Sequence, residues 1–137
     1  MSGALIDSNV ILDVFGDDST WAEWSVSILD EYSATNRLYI NSIVYTEVSI
    51  GFHRIEDLEQ ALNGVDLRMM EISKEVLFLV GKAFMSYRRS GGRKTLPLPD
   101  FFIGAHAAVA ALRLITRDVT RYQTYFPAVN LISPETD

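Results

Sequence analysis

The stretch Ala4-Leu5-Ile6-Asp7-Ser8-Asn9 places a short apolar run directly before residues that begin helices. The run predicts a buried strand, and Ser8 or Asn9 is a favourable first residue for a following helix. The same alternation of apolar runs and helical segments recurs along the chain, with strand candidates at 38–40, 67–72, 114–116 and 129–132. Such alternation requires crossover connections. We therefore predict an α/β fold, a three-layer sandwich with a mainly parallel central sheet flanked by helices.

Two serines and one apolar stretch predict the longer helices. Ser42 and Ser73 are good capping residues, and they precede segments that extend to about Phe52 and Arg89. From residue 100 to residue 112 the chain is apolar almost all round, which predicts a buried helix. In parallel sheets ligands bind beyond the carboxyl ends of the strands, so functional residues are expected at that edge.

Length and composition are those of one folded domain. The chain has 137 residues, of which 48% are hydrophobic and 22% charged, which excludes a disordered chain and predicts a single domain over residues 1–137. It has no cysteine, so disulfides and thiolate metal sites are excluded and a reducing compartment fits. No signal peptide is expected, because Asp7 and Asp13 interrupt the apolar stretch near the N-terminus. The run from residue 101 to residue 112 is shorter than the roughly 20 residues that span a bilayer, so no membrane partner is expected.

The charge is distributed unevenly along the chain. The net charge of −6 argues against nucleic-acid binding by bulk electrostatics. Residues 1–75 carry a net charge of −10, however, and residues 76–137 a net charge of +4. Two interpretations stay open: a chance asymmetry on a solvated surface, or a basic region formed largely by the second half.

Four carboxylates occupy unusual positions. Asp7 and Asp118 follow strand candidates, Asp100 begins the apolar helix, and Glu47 lies within a helix with only Ile43, Val44, Ile50 and Gly51 as its neighbours one turn away. Each position has a plain structural explanation. The three aspartates could cap helices, and the Glu47 face could be exposed or paired with a distant arginine or lysine.

Taken together, the four carboxylates predict a cation site. Strand ends and helix starts gather at one edge of a parallel sheet, and Glu47 lies about one turn from that edge. Two carboxylates 4 Å apart repel by about 4 kcal/mol at an effective dielectric of 20, so a cation must hold them. His53 and His106 are the only histidines. Oxygen ligands therefore dominate, which favours Mg²⁺ or Mn²⁺ over zinc.

These residues carry a resemblance to a known family. The motifs are Leu5-Ile6-Asp7-Ser8-Asn9-Val10, Glu47, Leu98-Pro99-Asp100-Phe101-Phe102-Ile103-Gly104-Ala105 and Leu114-Ile115-Thr116-Arg117-Asp118. Their order and spacing resemble a PIN domain, and more narrowly the VapC-type toxins of prokaryotic toxin–antitoxin pairs. The similarity runs from residue 4 to about residue 132. Many relatives have a glycine where this chain has Leu112-Arg113, a departure that affects a turn and leaves the acidic positions untouched.

The resemblance implies an activity and the residues that carry it out. Asp7, Glu47, Asp100 and Asp118 match the family's acidic quartet, with Asn9 and Thr116 at its accessory polar positions. The implied protein is a metal-dependent endoribonuclease of a type II toxin–antitoxin module, which forms a homodimer, binds a small antitoxin and works in a prokaryotic cytoplasm. Alternatives are a PIN-like RNA- or protein-binding module without cleavage, and a housekeeping RNA-processing nuclease.

In the mechanism that we predict, Asp7 and Asp100 hold Mg²⁺ or Mn²⁺, and Asp118 completes the site directly or through water. Glu47 holds a second ion or orients the attacking water, and one ion is as compatible with the sequence as two. Asn9 and Thr116 would orient the ligands, although a helix cap and a plain strand residue are the alternatives.

Basic residues close to Asp100 are candidates for binding RNA. Arg93 and Lys94, with Arg88 and Arg89 before them, can contact phosphates, or they can form a solvated helix end. For His106, on the apolar helix, a core or interface histidine is favoured over a general base.

Overall fold

The structure is a computed structural model that describes residues 2–16 and 20–134. Within those ranges five strands form one parallel sheet in the order β3-β2-β1-β4-β5. The strands are β1 (Ser2–Ile6), β2 (Asn36–Ile40), β3 (Leu67–Met69), β4 (Arg113–Ile115) and β5 (Leu131–Ile132). Every predicted strand is present, and the prediction of a mainly parallel α/β fold is confirmed.

Seven helices of the described ranges connect and flank these strands, consistent with a three-layer sandwich. They are α1 (Ser8–Phe15), α2 (Ala22–Ser33), α3 (Ser42–Ser49), α4 (Ile55–Gly64), α5 (Lys74–Arg89), α6 (Pro99–Val109) and α7 (Thr120–Tyr125). In this part of the chain, no helix combines the length and the apolar character needed to cross a membrane.

Residues that directly follow a strand cap the first and third helices. The Asp7 side chain accepts a hydrogen bond from the Ser8 backbone N–H at 2.7 Å, so Asp7 caps α1 in place of Ser8 or Asn9. Asn41 caps α3 in place of Ser42, because its carboxamide oxygen accepts from the Val44 N–H at 2.9 Å. Both are in the extended conformation that a capping residue requires. Ser73 caps α5 as predicted.

Helix α6 is buried as its composition predicts. Residues 103–107 and Phe101 are inaccessible to solvent or nearly so, and α6 packs against α5, α3 and the sheet. Gly104 allows the turn after α7 to approach α6 closely. A Cβ at this position would overlap the ring of Phe126, which belongs to that turn. Helix α6 also contacts β1 and β4, and its first turn carries Asp100.

The turn from α6 to β4 contains a residue in the left-handed region. Ala111 has a φ of 55°, and the following Leu112 N–H donates to the Ala107 carbonyl at 2.9 Å. This pattern ends many helices, usually with a glycine at the left-handed position. The departure from the family pattern noted at Leu112-Arg113 therefore coincides with a strained alanine one residue earlier.

Candidate active site

The four carboxylates lie around the carboxyl edge of the two central strands. Asp7 follows β1 and donates its backbone N–H to the Ile115 carbonyl of β4 at 2.9 Å. Asp118 follows β4 by three residues, and Asp100 is in the first turn of α6. The negative charges of Asp7, Asp118 and Glu47 all raise the pKa of Asp100, so the four groups are close enough to interact.

Asp7 is buried and held by hydrogen bonds at both carboxylate oxygens. Its Oδ2 accepts from the Thr116 hydroxyl at 2.8 Å and from the Tyr122 hydroxyl at 2.8 Å, and its Oδ1 accepts from the Ser8 N–H. Burial raises the pKa of Asp7, and these hydrogen bonds oppose that rise. Burial and the Asp7 charge also raise the pKa of Tyr122, which stays a hydrogen-bond donor. Asp7 is thus both a helix cap and a rigid member of the acidic group.

Glu47 is half-buried and faces Asp7 through Ser8. The Ser8 hydroxyl donates to Glu47 Oε1 at 2.8 Å and lies 3.4 Å from Asp7 Oδ1. Burial, followed by the charge of Asp7, raises the pKa of Glu47, while the Ser8 hydrogen bond lowers it. Ser8, which the sequence marks only as a capping candidate, therefore links the two carboxylates.

Asp100 is held more loosely than Asp7. Its Oδ2 lies 3.6 Å from Arg121 Nε, and about a third of each side chain is exposed, 34% and 31% respectively. Burial and then the charge of Asp7 raise the pKa of Asp100 to about 6, against the opposing charge of Arg121. At neutral pH the group is therefore ionised in most molecules, and it carries an incompletely compensated charge.

Asn9 and Thr116 join the two strand ends. Asn9 Nδ2 lies 3.4 Å from the Thr116 hydroxyl, and Asn9 Oδ1 accepts from the Arg117 N–H at 3.2 Å. The Thr116 hydroxyl donates to Asp7 and accepts from the Asp118 N–H at 3.1 Å. Asn9 is therefore not the cap of α1. Both side chains fix the backbone that carries the acidic residues.

The donor chemistry fits a hard divalent cation, but the carboxylates do not converge on one point. Across residues 2–16 and 20–134, no group of three or more His, Asp or Glu side chains is placed to hold a metal ion. Beyond the effect of burial, the charge of Asp7 raises the pKa of Glu47, and the charges of Asp7, Asp118 and Glu47 raise the pKa of Asp100; a divalent cation would relieve this excess of negative charge. All four groups offer the oxygen ligands that Mg²⁺ and Mn²⁺ prefer.

Comparison with known proteins identifies the family. The PIN domain model matches residues 4–126. The chain belongs to the PIN domain family. No curated protein gives a significant match to this PIN domain.

Solved structures share the fold at low sequence identity. VapBC2 from Rickettsia felis, bound to a DNA fragment from its promoter, has a TM-score of 0.74 and 18% identity over 95% of this chain and 97% of that chain. A toxin–antitoxin complex from Klebsiella pneumoniae has a TM-score of 0.71 and 24% identity over 96% of this chain and 98% of that chain. FitAcB from Neisseria gonorrhoeae has a TM-score of 0.74 and 21% identity over 98% and 99% of the two chains.

An aspartate–arginine pair that the sequence did not single out anchors one side of the site in this PIN domain. Arg117 donates to Asp13 through Nε at 2.6 Å and through Nη2 at 3.1 Å, and the Ser25 hydroxyl donates to Asp13 Oδ2 at 2.8 Å. Asp13 lies four residues after Asn9 on α1, so both face the segment that follows β4. The four-residue spacing between Asn9 and Asp13 is the sequence signal that could have identified Asp13.

Tyr122 and Arg121 are the other residues of the site that sequence reasoning missed. Tyr122 is buried and reaches Asp7, while the neighbouring Arg121 reaches Asp100. Both lie on α7, within four residues of Asp118. Their side-chain types gave no signal, because an arginine and a tyrosine on a short polar helix usually face solvent.

The basic residues lie beside the site, and the histidine lies in the core. Arg93 and Lys94 are exposed, and the Arg88 guanidinium donates to the Lys94 carbonyl at 2.8 Å, which closes the turn after α5. His106 is buried with its Nδ1 3.1 Å from Asn41 Nδ2, and burial lowers its pKa. His106 is therefore a core histidine, as the sequence favours.

Proposed function

We propose that this PIN domain is a metal-dependent endoribonuclease and the toxin of a type II toxin–antitoxin module. Family membership supports nuclease activity. The observation that carries the proposal is the position of four carboxylates around one edge of the sheet, where burial and then the charges of Asp7, Asp118 and Glu47 raise the pKa of Asp100. A group of acids in this state is suited to bind a divalent cation, and it repels RNA until one is bound.

Asp7 and Asp100 would hold Mg²⁺ or Mn²⁺, with Asp118 as a further ligand directly or through water. Thr116 and Tyr122 occupy both lone pairs of Asp7 Oδ2, which leaves Oδ1 as the oxygen with capacity for an ion. Binding one ion through three of these carboxylates would require them to move closer together. The exposed Asp118 and the loosely held Asp100 are the side chains free to do so.

A bound divalent cation lowers the pKa of a water ligand and neutralises charge on the phosphoryl oxygens. Glu47 would hold a second ion or orient the attacking water, and its hydrogen bond from Ser8 fixes the direction of its carboxylate. Asn9 and Thr116 keep the ends of β1 and β4 in register, so that Asp7 and Asp118 stay on the same side.

Arg93 and Lys94 would bring the RNA backbone to this acidic edge. Their exposure leaves both cations accessible to phosphates. Replacing both with alanine is expected to weaken RNA binding and to flatten its dependence on salt. An unchanged salt dependence would remove them from the interface.

The proposed partners are a small antitoxin that covers the acidic edge and a second copy of this chain. The similar structure from Klebsiella pneumoniae is a toxin–antitoxin complex, which supports a cognate antitoxin for this protein. The proposed location is a prokaryotic cytoplasm.

The test is RNA cleavage with Mg²⁺ or Mn²⁺ and with EDTA. Asp7→Asn and Asp100→Asn are each expected to reduce cleavage by at least about 100-fold, since outer residues of metal sites already cost 10–100-fold. Asp30→Asn, at an exposed position of α2, is the matched control and should retain full activity. Cleavage that survives both site substitutions contradicts the catalytic assignment. RNA binding without metal-dependent cleavage would support the non-cleaving module instead.

The toxin assignment needs a separate test, because a housekeeping nuclease would pass the first one. Expression in a bacterial host is expected to arrest growth, and Asp100→Asn is expected to relieve the arrest. Normal growth at matched levels of active wild-type protein would contradict a toxin and support a housekeeping nuclease.

A further inference from the structure

Arg121 is held in place but is not saturated with hydrogen bonds. Its guanidinium carbon lies 5.5 Å from the ring centroids of both Tyr87 and Phe101. Its Nε is 3.6 Å from Asp100, which is longer than a hydrogen bond. Within the described ranges, the buried Nη1 of Arg121 has no hydrogen-bond partner. The rings therefore fix the position of a guanidinium whose N–H donors are not all paired, and the exposed third of the side chain is the part that a ligand could reach.

A groove of about 260 Å³ extends from the acidic edge along Arg121. Its lining includes Asp100 and Asp118 together with Arg121, Thr120 and Tyr125. A ligand in this groove meets a cation and hydroxyl groups next to two carboxylates. A phosphate of a nucleic acid suits the cation, provided that a divalent cation neutralises the adjacent acids.

The contacts of Tyr87 place Arg121 between the acidic edge and the basic segment, residues 88–94. The Tyr87 ring contacts Arg121, and its hydroxyl lies 3.4 Å from the Lys94 N–H. Gly92 packs so closely on the same ring that a Cβ there would overlap it. Arg121 and the basic segment thus both contact one aromatic residue, which brings both within reach of one RNA strand.

The charges explain why Arg121 is available when RNA binds. Its guanidinium offsets part of the negative charge of Asp100. A divalent cation held by Asp100 would take over that role. The fixed guanidinium could then form the paired hydrogen bonds to phosphate oxygens that arginine favours.

We propose that Arg121 binds an RNA phosphate adjacent to the one that is cut, in the groove between α6 and α7 and on the path to the basic segment. Arg121 then sets the position of the strand relative to the carboxylates. The inference rests on the proposed nuclease function and adds a residue that the acidic motifs do not include.

The experiment measures how binding of a fluorescent single-stranded oligoribonucleotide depends on salt, between about 50 and 200 mM NaCl with Mg²⁺. All proteins carry Glu47→Gln to prevent cleavage, because this change removes the group proposed to orient the attacking water or hold a second ion and keeps Asp7 and Asp100 as ligands. Adding Arg121→Gln is expected to reduce the slope of log K against log salt by about 0.7, the value for one phosphate contact on a single strand. Arg121→Lys is expected to keep the slope, because it keeps the positive charge. It is also expected to weaken binding, because an ammonium group cannot donate the paired hydrogen bonds of a guanidinium.

Arg113→Gln is the matched control, since Arg113 also lies over an aromatic ring, 5.9 Å from the Tyr32 centroid, but at the amino end of β4. It should leave the slope unchanged. Thermal unfolding verifies that each variant is folded. If Arg121→Gln does not fold, the affinity of Arg121→Lys still tests the inference. An unchanged slope in Arg121→Gln, or an unchanged affinity in Arg121→Lys, overturns the inference while the proposed function stands. Wild-type protein that neither binds nor cleaves RNA with Mg²⁺ overturns the proposed function itself.

Discussion

Two aspartate–arginine pairs flank the candidate site, and they differ in geometry. Arg117 forms two hydrogen bonds to Asp13, at 2.6 and 3.1 Å, and the Asp13 side chain is only 8% exposed. Arg121 approaches Asp100 at one point, 3.6 Å away, with about a third of each side chain exposed. The two arginines are four residues apart in sequence. The same pair of residue types therefore serves two purposes, which only the geometry distinguishes.

The difference separates a structural anchor from a functional pair. The Arg117–Asp13 pair, with the Ser25 hydroxyl, ties the segment after β4 to α1 and so fixes the backbone next to Asp118. In the second pair Arg121 faces a carboxylate whose pKa is about 6, because burial and neighbouring charges outweigh the arginine. A saturated pair stabilises the fold, whereas an unsaturated one remains available to an ion or a ligand.

The largest expected effect is on the anchor. Asp13→Asn is expected to lower the free energy of unfolding by about 3–5 kcal/mol, because it leaves the largely buried Arg117 without its counter-charge. Urea denaturation at neutral pH measures the change. The exposed Asp30→Asn is the control and should change it by less than about 0.5 kcal/mol. A loss below about 1 kcal/mol for Asp13→Asn would show that the anchor is no stronger than a surface pair.

The next effect tests whether the second pair lies at a metal site. Mg²⁺ or Mn²⁺ at about 100 times its dissociation constant should raise the free energy of unfolding by about 2.7 kcal/mol. Asp100→Asn should lose most of this gain, since a ligand is removed, whereas Asp30→Asn should keep it. Urea denaturation with and without the ion measures the difference. An equal gain in wild type and Asp100→Asn would place the ion elsewhere.

Much of this architecture could be predicted because it is local in sequence. Ala4-Leu5-Ile6 and Leu114-Ile115 are apolar runs too short for helices, and both are strands in the centre of the sheet. Parallel pairing then places Asp7 beside Thr116, which is why positions after strands identified the acidic edge. The buried helix α6 followed from its composition in the same way.

The anchor and the Arg121 contacts could not be predicted, because they join distant parts of the chain. Asp13 and Arg117 are 104 residues apart, and their pairing depends on how far each side chain reaches once β1 and β4 are adjacent. The caps show the same limit on a smaller scale. Several polar residues after a strand can cap the following helix. The cap is the last residue with an extended backbone, which the sequence alone does not identify.

A conservative substitution should affect the two arginines differently. Arg117→Lys is expected to cost about 1.5–2.5 kcal/mol, because an ammonium group cannot reproduce the two hydrogen bonds to Asp13. Arg121→Lys should cost less than about 1 kcal/mol, as expected for one long and partly exposed contact. Urea denaturation of the metal-free proteins gives both values. Equal losses would contradict the distinction between anchor and functional pair.

The smallest effect is the pH dependence that Asp100 gives the metal-free protein. Its pKa is 3.8 in the unfolded chain and about 6 in the folded one, so between these values the folded protein binds more protons. The stability from this group is complete below pH 3.8 and is lost as the pH rises through about 6.

With EDTA present, the free energy of unfolding of wild type should fall from about pH 5 to pH 7.5 by about 1 kcal/mol more than that of Asp100→Asn. This difference is smaller than the change in the free energy of unfolding that the whole pKa shift would give. About a third of the Asp100 side chain is exposed, so solvent screens its charge. The raised pKa values of Asp7 and Glu47 act in the same direction and remain in both proteins, so parallel pH profiles would contradict a raised pKa of Asp100.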